Sequence, residues 1–238
     1  MEDFERIDEL KRERRLARKR QRIKQMLWHA MICSAIVVIA ISVGVVLLTA
    51  EVSEQEAAKK DELILKIESP PVIDAQLLTI NEYSRPGTKL EQVKGIVVHY
   101  TANPGTTAMQ NRNYFEGLAQ SKKTKASSHY IIGLSGEIIQ CVPLDEIAYA
   151  SNQRNVDTIS IECCIDNEDG SFNEETYDAL VELTAWLVGE YDLKINDIIR
   201  HHDVTGKLCP KYFVEHESAW VDFKLDVEKY INTHGVKK

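Results

Sequence analysis

Four residue types that could act together recur in this 238-residue chain: histidine, cysteine, lysine and glutamate. His99 closes the run Gly95-Ile96-Val97-Val98-His99-Tyr100. A continuous apolar run reads as a strand covered on both faces. The end of such a strand, where sheet meets loop, is a favoured place for a site. A single histidine there is more often a satisfied structural residue. His201 and His202 stand side by side in Arg200-His201-His202-Asp203. On extended backbone they face opposite ways, so one of the two can share a site with His99. Seven residues separate His201 from Cys209. Pro210 biases Cys209 toward extended backbone, and Lys207 then projects to the same side. Two neutral imidazoles and one thiolate make a sensible zinc set that leaves the fourth tetrahedral position for water. A Lys207 ammonium beside them favours the thiolate and any oxyanion formed there. The spacing matches no zinc finger.

The elements that position these residues alternate between two periodicities. Residues 107–120 read as a helix. Ser128–Leu134 and Ile138–Val142 read as strands joined at Ser135-Gly136, a hairpin signal. Thr158–Cys164 is a further strand, with Ile159, Ile161 and Cys163 on one face and Ser160, Glu162 and Cys164 on the other. Tyr177, Leu180, Val181, Thr184, Leu187, Val188 and Tyr191 recur at helical spacing, with Asn173 or Ser171 as the cap. Asp197–His202 reads as a strand and Glu217–Ile231 as a last helix. Strands interleaved with helices predict an α/β domain with one central sheet. Cys141, Cys163, Cys164 and Cys209 are too few for a disulfide scaffold in a domain of this size.

Charge divides the chain. Residues 1–26 carry ten Lys/Arg and six Asp/Glu, whereas the remainder carries 19 basic and 31 acidic residues. The acidic remainder argues against nucleic acid as a partner, since phosphate needs a basic face. Between Lys24 and Glu51 there is no charged side chain. Leu27–Ala50 meets the roughly 20 apolar residues that a membrane-spanning helix needs. Trp28 sits where an interfacial aromatic belongs. Residues 11–24 hold nine basic side chains against Glu13 alone, while the other flank begins Glu51, Glu54, Glu56. Positive-inside bias then places the N-terminus in the cytosol and the bulk of the chain outside. The basic and apolar stretches are both too long for a cleaved signal peptide. The expected organisation is a basic cytoplasmic segment (1–26), a transmembrane helix (27–50), an extracytoplasmic stalk (51–71) ending near Ser69-Pro70-Pro71, and a globular domain (72–238). The expected location is the cell membrane, single-pass, in contact with the lipid bilayer.

Four segments occur in order: GIVVHYTANPGTTA, SSHYIIGLSGEIIQCVP, TISIECC and IIRHHDVTGKLCP. Together they resemble the type 2 N-acetylmuramoyl-L-alanine amidase family, which includes phage lysozyme-type amidases and animal peptidoglycan recognition proteins. The flavour is that of the clostridial and endolysin members. The likeness runs from about Asn81 to Tyr230. It implies a mixed central β-sheet flanked by helices, with Zn2+ at the base of a groove. By motif, His99, His201 and Cys209 match the metal ligands, and Lys207 matches the lysine that stabilises the transition state. Glu162 matches the glutamate that several bacterial members use near the attacking water. His202 and Asp203 then have structural roles, and His129 a supporting one. The phage-type and animal enzymes carry a catalytic tyrosine where this chain has Ser128, and Tyr130 is out of register. The base role therefore passes to Glu162; the bland alternative is a half-buried glutamate paired with Arg154 or Arg200. The resemblance implies hydrolysis of the amide between N-acetylmuramic acid and L-alanine in peptidoglycan. The competing expectation is a non-catalytic, membrane-tethered peptidoglycan sensor, a class that typically lacks the third ligand matched here by Cys209.

Overall fold

The computed structural model describes residues 65–238, together with Met26, Trp28 and Met31. The expected cytoplasmic segment, the span and the stalk before Leu65 lie outside the described residues, those three positions aside. Among the described residues no helix is long and apolar enough to cross a membrane.

From Leu65 onward the described residues form eight strands: β1 (Leu65–Lys66), β2 (Ile73–Ala75), β3 (Ile96–Tyr100), β4 (Tyr130–Ile132), β5 (Ile138–Gln140), β6 (Ile159–Cys163), β7 (Ile198–Arg200) and β8 (Val236–Lys237). The α-helices in this stretch are α1 (Ala108–Ser121), α2 (Glu174–Glu190), α3 (His201–Thr205), α4 (Lys211–Glu215) and α5 (Glu217–His234). The central sheet runs β2-β5-β4-β6-β3-β7. Only the β4–β5 hairpin in it is antiparallel; the other neighbours are parallel. The sheet is therefore mixed, as the family resemblance implies. Gly136 makes the hairpin turn with φ of 75°, a conformation open to residues without a Cβ.

Alternation along each strand sorts the side chains into two cores. Ile96 and Val98 of β3, and Ile159, Ile161 and Cys163 of β6, face α2 and α5 and meet Leu180, Leu183, Leu187, Phe223 and Val227. Each of these buried side chains contributes about 1.5–3 kcal/mol by leaving water. Ile131, Ile139 and Cys164 face the other way and meet Ala108, Phe115 and Leu118 of α1. His99 and Glu162 have the parity of this second face. At the strand ends the α1 side opens into a cleft, and both side chains line it.

Helix ends follow local chemistry. The Asn173 side chain accepts from the Thr176 amide and caps α2, and Glu174 and Glu175 occupy its first turn, where the helix dipole favours acids. Thr107 and Gln110 form a capping box on α1.

Two expectations are corrected. Asp197–His202 is not one strand. β7 stops at Arg200, and His201 opens α3. The cause is Asp203, whose carboxylate accepts the Arg200 amide at 2.8 Å and also pairs with its guanidinium; an acid at the third helical position that reaches back to the cap amide favours a helix start. Leu65 and Lys66, assigned by sequence to the stalk, instead form β1, antiparallel to β8. Leu65 and Ile67 pack against the larger core. β2 and α4 were not foreseen. The four described cysteines, Cys141, Cys163, Cys164 and Cys209, are all free and buried.

Candidate metal centre and active site

Strand register brings the site together. β3 and β6 are parallel neighbours with His99 opposite Glu162. β3 and β7 pair Val97 with Ile199 and Val98 with Arg200. The next residue after Arg200 lies beside His99, and that residue is His201. Sheet parity selects His201 rather than His202, even though the backbone turns helical there. α3 ends at Gly206, φ 76°, and the loop that follows returns Lys207 and Cys209 to the cleft. His202 pins this loop. Its amide donates to the Cys209 carbonyl at 2.8 Å, and its Nδ1 lies 3.0 Å from the Lys207 carbonyl. His202 and Asp203 thus have the structural roles expected of them.

His99, His201 and Cys209 are all buried, and their donor atoms lie within 4.8 Å of one another. His99 Nδ1 is 3.8 Å from Cys209 Sγ. The two imidazole rings are 4.6 Å apart, centroid to centroid. Each ring turns its other nitrogen outward: His99 Nε2 lies 3.2 Å from Ser151 Oγ, and His201 Nε2 lies 3.1 Å from Asn152 Oδ1. His201 Nδ1 is buried without a hydrogen-bond partner. A buried polar atom left alone is costly, so an orphaned nitrogen aimed at a second imidazole and a thiol fits a metal ligand. Two nitrogens and one sulfur suit a tetrahedral ion such as zinc.

Burial acts on the charge states. It lowers the His99 pKa well below the ordinary histidine value, and His201 and Lys207 push the same way. His201 is lowered too, by burial and then Lys207. Both imidazoles are therefore neutral and able to ligate. Burial and the Glu162 charge hold the Cys209 thiol up at about 12, while the Tyr100 backbone and Lys207 oppose them; a bound cation would act in the same sense as these two.

Glu162 lies next to the ligands, with Oε1 3.9 Å from His99 Nδ1. Its Oε2 is buried and has no hydrogen-bond partner. Burial pushes this carboxyl up to about 8, against the pull of Lys207. The bland alternative for Glu162 does not hold. Arg154 pairs with Asp157, and Arg200 with Asp203 and Glu217. Ser128 is buried and donates its hydroxyl to the Tyr130 carbonyl at 2.9 Å. Tyr130 lies in the core beneath α2. Neither takes the place of the family tyrosine. His129 ties β6 to the loop after β5: its Nδ1 accepts from the Ser160 amide at 3.0 Å, and its Nε2 donates to the Glu146 carbonyl at 2.9 Å. This is the supporting role expected of it.

The cleft encloses about 370 Å³ and is walled by Tyr100, Lys125, Tyr149, Asn152, Glu162 and Lys207 among others. Sequence reasoning missed Lys125, Tyr149, Ser151 and Asn152. The polar run Ser151-Asn152-Gln153-Arg154-Asn155 marks a loop and carries no further signal of its own.

The family model described as N-acetylmuramoyl-L-alanine amidase matches residues 89–212, which hold both strands and every ligand described above. The chain belongs to this family. Relatives include the N-acetylmuramoyl-L-alanine amidase CwlL of Bacillus licheniformis, 38% identical over 67% of this chain and 47% of CwlL. The amidase BlyA of Bacillus subtilis is 35% identical over 68% of this chain and 48% of its own length. The chain spans about half the length of these curated relatives. Among solved structures, PlyL superposes with a TM-score of 0.58 at 23% identity, covering 66% of this chain and 97% of PlyL. The catalytic domain of XlyA gives 0.55 at 25% identity, over 66% of this chain and 99% of that domain. The mixed sheet flanked by helices is thus the fold that this chain shares with both structures.

Proposed function

We propose that this protein is a membrane-anchored, zinc-dependent N-acetylmuramoyl-L-alanine amidase that hydrolyses peptidoglycan outside a cytoplasmic membrane. The observation that carries the reading is the trio His99, His201 and Cys209, in which the buried His201 Nδ1 has no hydrogen-bond partner, set beside an unpartnered carboxylate oxygen of Glu162. Membership of the amidase family supports the substrate: the amide between the lactyl group of N-acetylmuramic acid and L-alanine.

His99, His201 and Cys209 would hold the ion. Zinc supplies Lewis acidity, which brings the pKa of water toward about 7 and polarises a carbonyl. Glu162 takes the proton from the attacking water and passes it to the leaving amine. Its burial suits this, because a carboxyl whose pKa lies near working pH can both accept and return a proton. The Lys207 charge is felt by His99, His201, Glu162 and Cys209 alike. Lys207 lines the same cleft and would stabilise oxyanion charge developing there. The cleft walls orient the glycan and stem peptide so that the amide lies over these groups.

The anchor reading rests on the uncharged stretch of residues 27–50 and the basic flank before it. It places the cleft within reach of wall close to the membrane.

The test is to incubate the full chain, in detergent, with purified sacculi and follow release of free L-alanine amino termini with and without chelator. Zinc-restored release that vanishes in Cys209→Ala, together with loss of bound zinc, is the expected result. Binding of sacculi without release would move the reading to a tethered sensor.

A further inference from the structure

The short 3-10 turn Asn152–Val156, entered from Ser151, lies between β5 and β6 and supplies no reacting group. Its residues nonetheless converge on the metal trio. Ser151 is 1% exposed and places Oγ 3.2 Å from His99 Nε2. Asn152, the next residue, places Oδ1 3.1 Å from His201 Nε2. Two adjacent side chains therefore meet the outer nitrogens of two histidines that are 102 residues apart in sequence.

The turn is built to hold this pose. Asn155 Oδ1 accepts the amides of Ala150 and Ser151, at 3.0 and 2.6 Å. Gln153 Nε2 donates to the Val204 carbonyl at 3.1 Å and ties the turn to α3, the helix that carries His201. Asn152 has φ of 53°, a left-handed conformation that asparagine tolerates better than most residues. That conformation swings its side chain toward His201.

We infer that Ser151 and Asn152 are positioning residues that fix His99 and His201 as their Nε2–H tautomers, leaving both Nδ1 atoms free for a divalent metal. A neutral imidazole has one donor and one acceptor nitrogen. An acceptor oxygen at Nε2 keeps the proton there and the Nδ1 lone pair pointed inward. Partners of this kind orient ligating histidines and raise their basicity, and losing one typically costs about 10–100-fold in metal affinity. The two positions differ in degree. Ser151 is buried, so its removal leaves the His99 donor unsatisfied. Asn152 is exposed at the cleft rim, where water can partly replace it.

This inference rests on the metal-site reading of the trio, and the experiment separates the two. Zinc affinity of the full chain is measured by competition with a chromophoric chelator. The cobalt-substituted protein reports ligand geometry through its visible absorption. Ser151→Ala is expected to weaken zinc about 10–100-fold and to shift the cobalt spectrum, and Ser151→Thr to restore both. Asn152→Gly, which keeps the backbone conformation, is expected to weaken zinc about 10-fold, and Asn152→Asp to restore it. The thermal melt of each metal-free variant separates misfolding from loss of affinity. Wild-type affinity and an unchanged cobalt spectrum in both Ser151→Ala and Asn152→Gly would overturn the inference while leaving the metal site intact. Absence of zinc binding by the wild-type chain would overturn the site itself.

Discussion

Glu162 is held in a wall of the cleft by β6, one oxygen near His99 and the other without a partner. Replacing it with Gln keeps shape and packing and removes the proton acceptor. General acid–base groups contribute about 10²–10⁴-fold. Glu162→Gln should therefore lose turnover on that scale in the sacculus assay while zinc binding stays near wild type. Retained turnover would exclude Glu162 as the base. His129 works differently. It is buried as a neutral ring, and burial lowers its pKa to about 4 from an ordinary value near 6.5. Between those values the unfolded chain takes up a proton that the folded chain refuses. Stability from this residue is complete above about pH 6.5 and is lost as pH falls to about 4, by up to about 3 kcal/mol. His129→Gln should be less stable at neutral pH and show a shallower decline. Melting curves across pH 4–7 with equal slopes for both proteins would refute this.

At the scale of elements, the sheet does the positioning and the turns between strands do the fine work. β3 and β6 fix His99 and Glu162 by register. The Asp203 carboxylate, bonded back to the Arg200 amide, ends β7 two residues short of the expected strand and starts α3 there. β1 is the element with the least expected role. Its two residues pair with β8, and Leu65 and Ile67 lay apolar side chains on the core beneath them. A chain beginning at Val72 loses both. Removing two half-buried aliphatic side chains costs about 2 kcal/mol, or about 4–8 °C in melting temperature for a domain of this size. Comparing chains that start at Leu63 and at Val72 by thermal melting checks this. Equal melting temperatures would mean that β1 is dispensable.

For the whole molecule, the charge split points to two environments. The basic flank before an uncharged stretch and the acidic domain after it predict an integral membrane protein with the cleft outside. Expressed in a bacterium, the full chain should stay in the membrane pellet after an alkaline carbonate wash. A protease added outside spheroplasts should reach the domain. Release by carbonate, or protection from the protease, would contradict the anchor or its orientation.

Much of this was legible before any fold was known, because local rules govern it. A continuous apolar run marked β3, a hairpin signal marked β4 and β5, two-faced alternation marked β6 and helical spacing marked α2, with Asn173 one of two candidate caps. His99 and Cys209 carried donor chemistry in their types, and the motif order named the family that the chain belongs to. Sequence left His201 and His202 open on geometry alone. The choice follows from the parallel pairing of β7 with β3, a contact between residues about a hundred positions apart. The contribution of Ser151 and Asn152 was invisible for the same reason. A serine and an asparagine in a polar turn signify only a loop until folding places their oxygens 3.2 and 3.1 Å from two histidines. The unpartnered oxygen of Glu162 likewise reflects where Arg154 and Arg200 found other carboxylates. Residue type and local pattern set which chemistry the chain can attempt; long-range register decided which atoms meet to perform it, because pairing between distant strands leaves no local trace.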